Sequence, residues 1–323
     1  LRGPLYVFWD PGLPQIPLEA VHSPAGPGPL VRHAAVTYLA TIGSLGRQTA
    51  GRGSGALVFG APDYGPIAGA TAARAPSTRG CVDQASLHRF VAIAGTGDEA
   101  RRLERILRQH RVPVTARTGA AAGEAAFRRD VAGRRFVLVA THGYFLGGEC
   151  AAPGGTRGMV LEGKAAPAAA KSGGTLYQRR IAAMHPLLRA GLAFAGANRT
   201  GNRAGEDDGH LMALEASTLD LRGTELVVLS ACETGVGERV HNEGVMGLSR
   251  AFLVAGADGV GMSLWSVSDL ETTELVTTWI SRIMGGHTVA EALRQAKLQL
   301  IESLSRRDSV AHPFFWSAFV YTR

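Results

Sequence analysis

The amino-acid sequence predicts an α/β fold in which helices cover both faces of a mostly parallel sheet. Apolar runs of strand length alternate along the chain with segments whose apolar residues recur at helical spacing, the pattern of βα units. The chain has 323 residues, is 46% hydrophobic and contains no internal repeat or clean linker. We therefore expect one domain over residues 1–323, with an N-terminal part, residues 1–89, and a second part, residues 90–323.

The N-terminal part is expected to supply strands separated by turns rich in Pro and Gly. PLYVFWDPGLPQIPLEAV predicts a strand or hairpin, and HAAVTYLATIGSLG predicts a strand that runs into a short helix. GALVFG predicts a strand from Ala56 to Gly60, and the small, polar residues from about 62 to 80 predict a loop.

The second part has the more regular pattern. Strands are expected in FVAIAG, VPVTAR, FVLVATHG, GLAFAGAN, TELVVLS, DGVGMSLWSV and FFWSAFVYTR. Helices are expected in DEARRLERILRQH, GEAAFRRDVAG, GHLMALEASTLDL, EGVMGLSRAFLVAG and the segments 270–284 and 289–303. Residues 147–174 are rich in Gly, Ala and Pro without periodicity, which predicts a mobile insertion that limited proteolysis should cut first.

Composition excludes several classes of protein. The formal net charge is +7, but the basic residues are scattered and not interleaved with aromatic residues, so we do not expect direct binding of nucleic acid. The three cysteines form no pair with metal-ligand spacing, which disfavours a zinc site or a disulfide framework and fits a cytoplasmic protein with reduced thiols. No apolar run reaches the length of a membrane-spanning helix.

Two predicted strands end in side chains that can cooperate in catalysis. FVLVATHG ends in His142, and LVVLSAC ends in Cys232. The carboxyl ends of parallel strands form the working edge of such sheets, so the two side chains meet if their strands are close. A histidine can take the proton of a thiol and later protonate the leaving amine. The Gly143 N–H is a candidate oxyanion donor.

A second reading of the sequence is a dinucleotide site. Gly95 and Gly97 follow a predicted strand and open a helix, as in the phosphate-binding fingerprint, and Arg117 would suit the 2′-phosphate of NADP. Asp98 and Glu99 argue against it, since two carboxylates beside a pyrophosphate would repel it.

Five segments together resemble a known family. In chain order, the segments VATHGYF, HPLLRAGLAFAGAN, VVLSACETGVG, MSLWSVSD and HPFFWSAFVYT are similar to the CHAT family of caspase- and separase-related cysteine peptidases, which are often fused to TPR or other repeats. The resemblance implies a caspase-like three-layer α/β sandwich and makes residues 90–323 the catalytic part. It implies His142 as general base, Cys232 as nucleophile, and the N–H groups of Gly143 and Cys232 as the oxyanion hole.

The resemblance also implies function. We expect a cysteine endopeptidase that needs no metal or cofactor and cleaves a protein partner at restricted sites in a bacterial defence or regulated-proteolysis system. A repeat domain or an activator protein would control it. Asp269 ends the stretch LWSVSD, where separase-like members carry an acid at the base of the specificity pocket, which implies cleavage after Arg or Lys. Asp269 could instead cap the following helix, Glu271 is a weaker candidate, and a catalytically silent scaffold is the alternative for the whole chain.

Overall fold

The computed structural model describes residues 3–8, 16–23, 26–46, 53–67, 89–145, 186–199, 207–230, 243–265, 267–308 and 310–323. The strands in these ranges are β1 (Leu5–Phe8), β2 (Val36–Leu39), β3 (Ala56–Pro62), β4 (Val114–Gly119), β5 (Phe136–Ala140), β6 (Gly143–Phe145), β7 (Ala190–Ala193), β8 (His210–Met212), β9 (Leu226–Ser230), β10 (Val260–Ser263) and β11 (Phe319–Thr322). The α-helices are α1 (Thr96–Gln109), α2 (Glu124–Asp130), α3 (Ala213–Ala216), α4 (Glu243–Val254), α5 (Asp269–Met284), α6 (Val289–Asp308) and α7 (Pro313–Trp316). Short 3-10 helices lie at Leu18–Ala20, Leu30–Arg32, Ile42–Gly46 and Pro186–Leu188.

Eight strands form the main sheet in the order β1-β2-β11-β10-β9-β5-β3-β4. Every neighbouring pair is parallel except β10 and β11, so the prediction of a mostly parallel sheet is confirmed. β6, β7 and β8 form a second, antiparallel sheet that starts directly after β5. β3 comes from the predicted N-terminal part of the chain, yet it lies between β5 and β4.

The main sheet has a hydrophobic core on each face. Val137 and Val139 of β5 pack into a core with α2, α3 and α4, while Phe136 and Leu138 face a core with α1, α5 and α6. This alternation follows from the period of two along a strand. On the second face, Gly261 in β10 lets the Trp279 ring of α5 pack directly against the strand, because a Cβ at this position would lie 2.2 Å from that ring. The three-layer arrangement inferred from the sequence is confirmed.

Several local predictions were wrong, each because a tertiary contact decided the conformation. FVAIAG is not a strand, since β3 already has β4 and β5 as its two neighbours in the sheet. By contrast, the strand predicted in PLYVF is present as β1, which pairs in parallel with β2. The segment predicted as the helix GHLMALEASTLDL begins as β8 and continues as the short helix α3, and the final segment contains α7 before β11. The predicted insertion at residues 147–174 lies outside the described residues.

Within the part of the chain that the structure describes, no helix combines the length and the hydropathy that crossing a membrane requires.

Candidate active site

The two strands that precede His142 and Cys232 are direct neighbours. β5 pairs in parallel with β9, and Ala140 lies opposite Ser230 in that register. His142 comes two residues after Ala140, and Cys232 comes two residues after Ser230 in the sequence. Neighbouring strands lie about 5 Å apart, so both chains leave the sheet at one edge and side by side. Cys232 itself lies outside the described residues.

The imidazole of His142 is anchored by one main-chain atom. Its Nε2 lies 2.7 Å from the carbonyl oxygen of Val91. A carbonyl oxygen can only accept a hydrogen bond, so Nε2 carries the hydrogen of the neutral ring. The other nitrogen, Nδ1, then has the lone pair, which makes it the basic atom of His142.

Two aromatic rings hold the half-buried imidazole from its sides. The Tyr64 ring centroid lies 5.3 Å from that of His142, and the Phe90 centroid lies 5.4 Å from it. The rings of Tyr64 and Phe90 also contact each other, at 5.8 Å. Both residues are almost fully buried, so these contacts restrict the rotation of the imidazole.

A closed ring of hydrogen bonds fixes the main chain at the end of β5. The Tyr64 hydroxyl lies 2.9 Å from Thr141 Oγ1, and Thr141 Oγ1 donates to the carbonyl of Ala193. The Ala193 N–H donates to the carbonyl of His142 at 2.9 Å, and the His142 N–H donates to the Tyr64 oxygen at 3.3 Å. Since the Thr141 hydroxyl is used as a donor, Tyr64 donates to it. Tyr64, Thr141 and Ala193 therefore together constrain the backbone of His142.

Gly143, the predicted oxyanion donor, begins β6. It pairs with Leu192 of β7, and the preceding pair, His142 with Ala193, is a hydrogen-bonded one. Hydrogen-bonded and non-hydrogen-bonded pairs alternate in an antiparallel ladder, so the Gly143 N–H is directed away from β7. Its amide is therefore not used by the ladder.

A buried carboxyl lies beneath the end of β9. Ser230 Oγ donates a hydrogen bond of 3.0 Å to Glu99 Oε2 in the first turn of α1. Burial raises the pKa of Glu99 from 4.5 to about 8, the Ser230 hydrogen bond opposes this shift, and the nearby charge of Asp269 adds to it. Glu99 is thus protonated at neutral pH.

Asp269 is the first residue of α5, and its carboxylate contacts a different helix. Ser268 is the N-cap of α5, so the prediction that Asp269 caps its own helix was wrong. Asp269 Oδ2 instead accepts a hydrogen bond of 3.0 Å from the N–H of Gly95, the residue before α1. A Cβ at Gly95 would lie 2.4 Å from the Asp269 Cβ, which explains why glycine suits this position. Glu271 lies apart, 3.8 Å from Arg307 of α6.

The geometry does not suit the alternative of a dinucleotide site. No strand precedes Gly95 in residues 89–95, and the Gly95 N–H is bonded to a carboxylate. Arg117, the expected partner of a 2′-phosphate, forms an ion pair of 2.7 Å with Asp130. Among the residues that the structure describes, no cluster of His, Cys, Asp or Glu could hold a metal ion.

The sequence interpretation missed Glu99, Tyr64 and Asn198 as parts of this region. Only Glu99 had a usable signal. It lies four residues before Leu103 and eight before Leu107, which places it on the buried face of α1 rather than among the exposed acids of a helix N-terminus. Tyr64 lies in an irregular segment and Asn198 in a turn, where no periodicity reveals burial.

Comparison with a family model shows the class of domain. A family model described as the CHAT domain matches residues 1–323. Tetratricopeptide repeat protein 28 of Mus musculus is 34% identical over 110 residues, which is 34% of this chain and 4% of that protein. The Homo sapiens protein of the same name is 32% identical over 111 residues, so this chain spans about 4% of the length of these relatives. The crystal structure of the Arg-specific cysteine proteinase gingipain R aligns with a TM-score of 0.48 and 7% identity, over 90% of this chain and 54% of the gingipain chain.

Proposed function

Since the chain belongs to the CHAT-domain family, we propose that it is a cysteine endopeptidase with a dyad of His142 and Cys232. One observation carries the proposal: β5 and β9 are paired neighbours, Ala140 lies opposite Ser230, and the two dyad residues follow at the same distance along the chain. A thiol that leaves the sheet beside His142 would be within reach of an oriented base.

The reaction follows from the orientation of the imidazole. Nδ1 of His142 accepts the thiol proton of Cys232, and the thiolate attacks the carbonyl carbon of the substrate peptide. The N–H groups of Gly143 and Cys232 stabilise the oxyanion that forms. His142 then protonates the leaving amine, which leaves a thioester on Cys232. Water, deprotonated by His142, hydrolyses the thioester, releases the carboxylate product and restores the thiol.

The same proposal assigns Asp269 as the side chain that binds a basic residue before the scissile bond. Asp269 is half-buried, follows β10 at the same edge of the sheet, and lies near Glu99. Burial raises the pKa of Glu99 to about 8, so at neutral pH this neighbour adds little negative charge beside Asp269. A partly buried carboxylate binds a guanidinium through two parallel hydrogen bonds, and an apolar side chain would leave it unpaired.

The substrate in this proposal is a protein partner, cleaved in a cytoplasmic bacterial defence or regulated-proteolysis system, as the family implies. The curated relatives are named for tetratricopeptide repeats, which supports control of the peptidase by a repeat domain or an activator. No metal or organic cofactor takes part in the chemistry.

The test is cleavage-site mapping on a proteome-derived peptide library, with new amino termini identified by mass spectrometry. Wild-type protein should generate a restricted set of termini, and Cys232→Ala and His142→Ala should each lose them. The double variant should be little worse than either single one, because the two residues act as a unit. Cys81→Ala and Cys150→Ala are the matched controls and should cleave normally. Retained cleavage in Cys232→Ala would overturn the assignment.

A second candidate is an interaction scaffold without catalysis. It is favoured by the relatives' names, since this chain spans only 4% of a protein named for repeats. The scaffold predicts no new termini from the wild type, with partner binding unchanged in Cys232→Ala. Cleavage that depends on Cys232 excludes it.

A further inference from the structure

The carbonyl that holds His142 belongs to an exposed loop. Residues 89–95 have no regular secondary structure, and Val91 is 47% exposed. Between residues 89 and 92, the hydrogen bonds that the structure describes go to two side chains, those of Asn198 and His142. The position of the Val91 carbonyl must therefore depend on what holds the main chain beside it.

Asn198 holds it. This residue is 1% exposed and ends the turn that follows β7. Its Oδ1 accepts a hydrogen bond from the Phe90 N–H at 2.8 Å, and its Nδ2 donates to the Phe90 carbonyl at 2.8 Å. Nδ2 also donates to the carbonyl of Gly65 at 3.0 Å, and the Asn198 N–H donates to the Tyr64 carbonyl at 2.8 Å. The Asn198 side chain thus joins the exposed loop to the segment that carries Tyr64.

We propose that Asn198 is a positioning residue for His142, which it orients through the main chain of Phe90 and Val91. The path has three steps: the Asn198 amide fixes both polar groups of Phe90, the next residue presents its carbonyl, and that carbonyl fixes the hydrogen on Nε2 of His142. Asn198 touches neither His142 nor the substrate. Its effect on catalysis rests on the proposed function, whereas its effect on the imidazole does not.

The chemistry of the contact requires this side chain. The buried partners of this side chain are one N–H group and two carbonyl oxygens, so the side chain must accept one hydrogen bond and donate two. A carboxamide has the oxygen and both N–H hydrogens that these three bonds require. Aspartate has nearly the same shape and keeps the acceptor, but it would place a carboxylate against two carbonyl oxygens. Alanine removes all three hydrogen bonds. Asn198→Asp therefore tests the two donated bonds at constant size.

The experiment measures the tautomer of His142 by NMR in protein labelled with nitrogen-15 histidine, at a pH where the imidazole is neutral. Loss of the signal in His142→Gln assigns it. In the wild type, the form with hydrogen on Nε2 should dominate. In Asn198→Asp and Asn198→Ala the ratio of the Nε2–H to the Nδ1–H form should fall about fivefold, the value of one neutral hydrogen bond. Gln299→Ala, which removes another hydrogen-bonded carboxamide on α6, should leave the ratio unchanged.

A purely structural role for Asn198 predicts lower thermal stability with an unchanged tautomer in the folded protein, and that result would overturn the proposal. If the Asn198 variants do not fold, hydrogen exchange in the wild-type protein still tests the proposal. The Phe90 amide should then exchange its hydrogen slowly although it lies in an exposed loop, and exchange at the rate of an unstructured amide would refute the proposal. A changed tautomer in a protein that cleaves no peptide would uphold the role of Asn198 and reject the proposed peptidase.

Discussion

Ser230, at the end of β9, donates its hydroxyl hydrogen to the buried carboxyl of Glu99 on α1, 131 residues away in sequence. This hydrogen bond ties the end of the strand that leads to Cys232 to the helix beneath the sheet. Ser230 lies two residues before the proposed nucleophile in the sequence, so the hydrogen bond also places a titratable group, which burial keeps protonated at neutral pH, beside the end of that strand.

The first prediction concerns the pH dependence of stability. The pKa of Glu99 is raised by burial from 4.5 to about 8, so the unfolded chain releases this proton at a lower pH than the folded protein does. Its contribution to stability is therefore complete below pH 4.5 and is lost as the pH rises to about 8. At about 1.4 kcal/mol per pH unit, the loss is on the order of 5 kcal/mol.

Denaturant unfolding at a series of pH values checks it. Glu124 also contributes, since burial raises its pKa to about 7, so the window from pH 7 to 8 isolates Glu99. Glu99→Gln should remove the slope in that window, while Glu104→Gln, at a partly exposed position of the same helix, should keep it. An equal slope in the wild type and Glu99→Gln would contradict the prediction.

The second prediction is that Tyr64 and Thr141 act together on the backbone of His142. Tyr64→Phe leaves the Thr141 oxygen without its donor and the His142 N–H without its acceptor, at a cost of about 1–3 kcal/mol in unfolding free energy. Thr141→Val removes the same ring of hydrogen bonds from its other side. Their effects on stability and on peptide cleavage should be less than additive in a double-mutant cycle, since both break one network. Additive losses would mean that the two hydroxyls act independently.

The third prediction separates the charge of Asp269 from its hydrogen bond. Asp269→Asn keeps an oxygen for the Gly95 N–H but removes the negative charge, so it should lose a preference for Arg or Lys while stability is kept. Asp269→Ala removes the charge and the hydrogen bond together, so it should lose both the preference and some stability. Fluorogenic peptides that vary only at the residue before the scissile bond measure the preference, and a wild-type preference for apolar or acidic residues would exclude Asp269 from this role.

The fourth prediction concerns a buried ion pair far from the dyad. Lys297 of α6 contacts Glu19 at 2.8 Å with both side chains almost fully buried, and Tyr38 donates to the same carboxylate at 2.7 Å. Lys297→Met should cost about 3–5 kcal/mol in unfolding free energy, because it leaves the Glu19 charge buried without its cation. Adding Glu19→Gln should recover part of the loss. Arg222→Met, which breaks the exposed pair with Asp220, should leave the unfolding midpoint unchanged.

Much of the fold and part of the site could be predicted because their signals are local. An apolar run such as FVLVA indicates a strand wherever it occurs, and the spacing of Leu103 and Leu107 indicates a helix. The end of each run is equally local, so the position of His142 at the end of β5 was predictable. FVAIAG shows the limit, because its composition suits a strand but the sheet has no free place for it beside β3.

By itself, the sequence determined the alternating α/β architecture, the family, and the residues that follow β5 and β9. Only the tertiary structure decided that these strands pair with Ala140 opposite Ser230, that Val91 supplies the carbonyl for His142, and that Asn198 holds that carbonyl's loop. The physical reason is the separation along the chain over which each kind of interaction acts. Periodicity and turn chemistry act within a few residues, whereas these contacts join residues 51 to 108 positions apart. Such contacts form only once the order of the strands brings distant parts of the chain together.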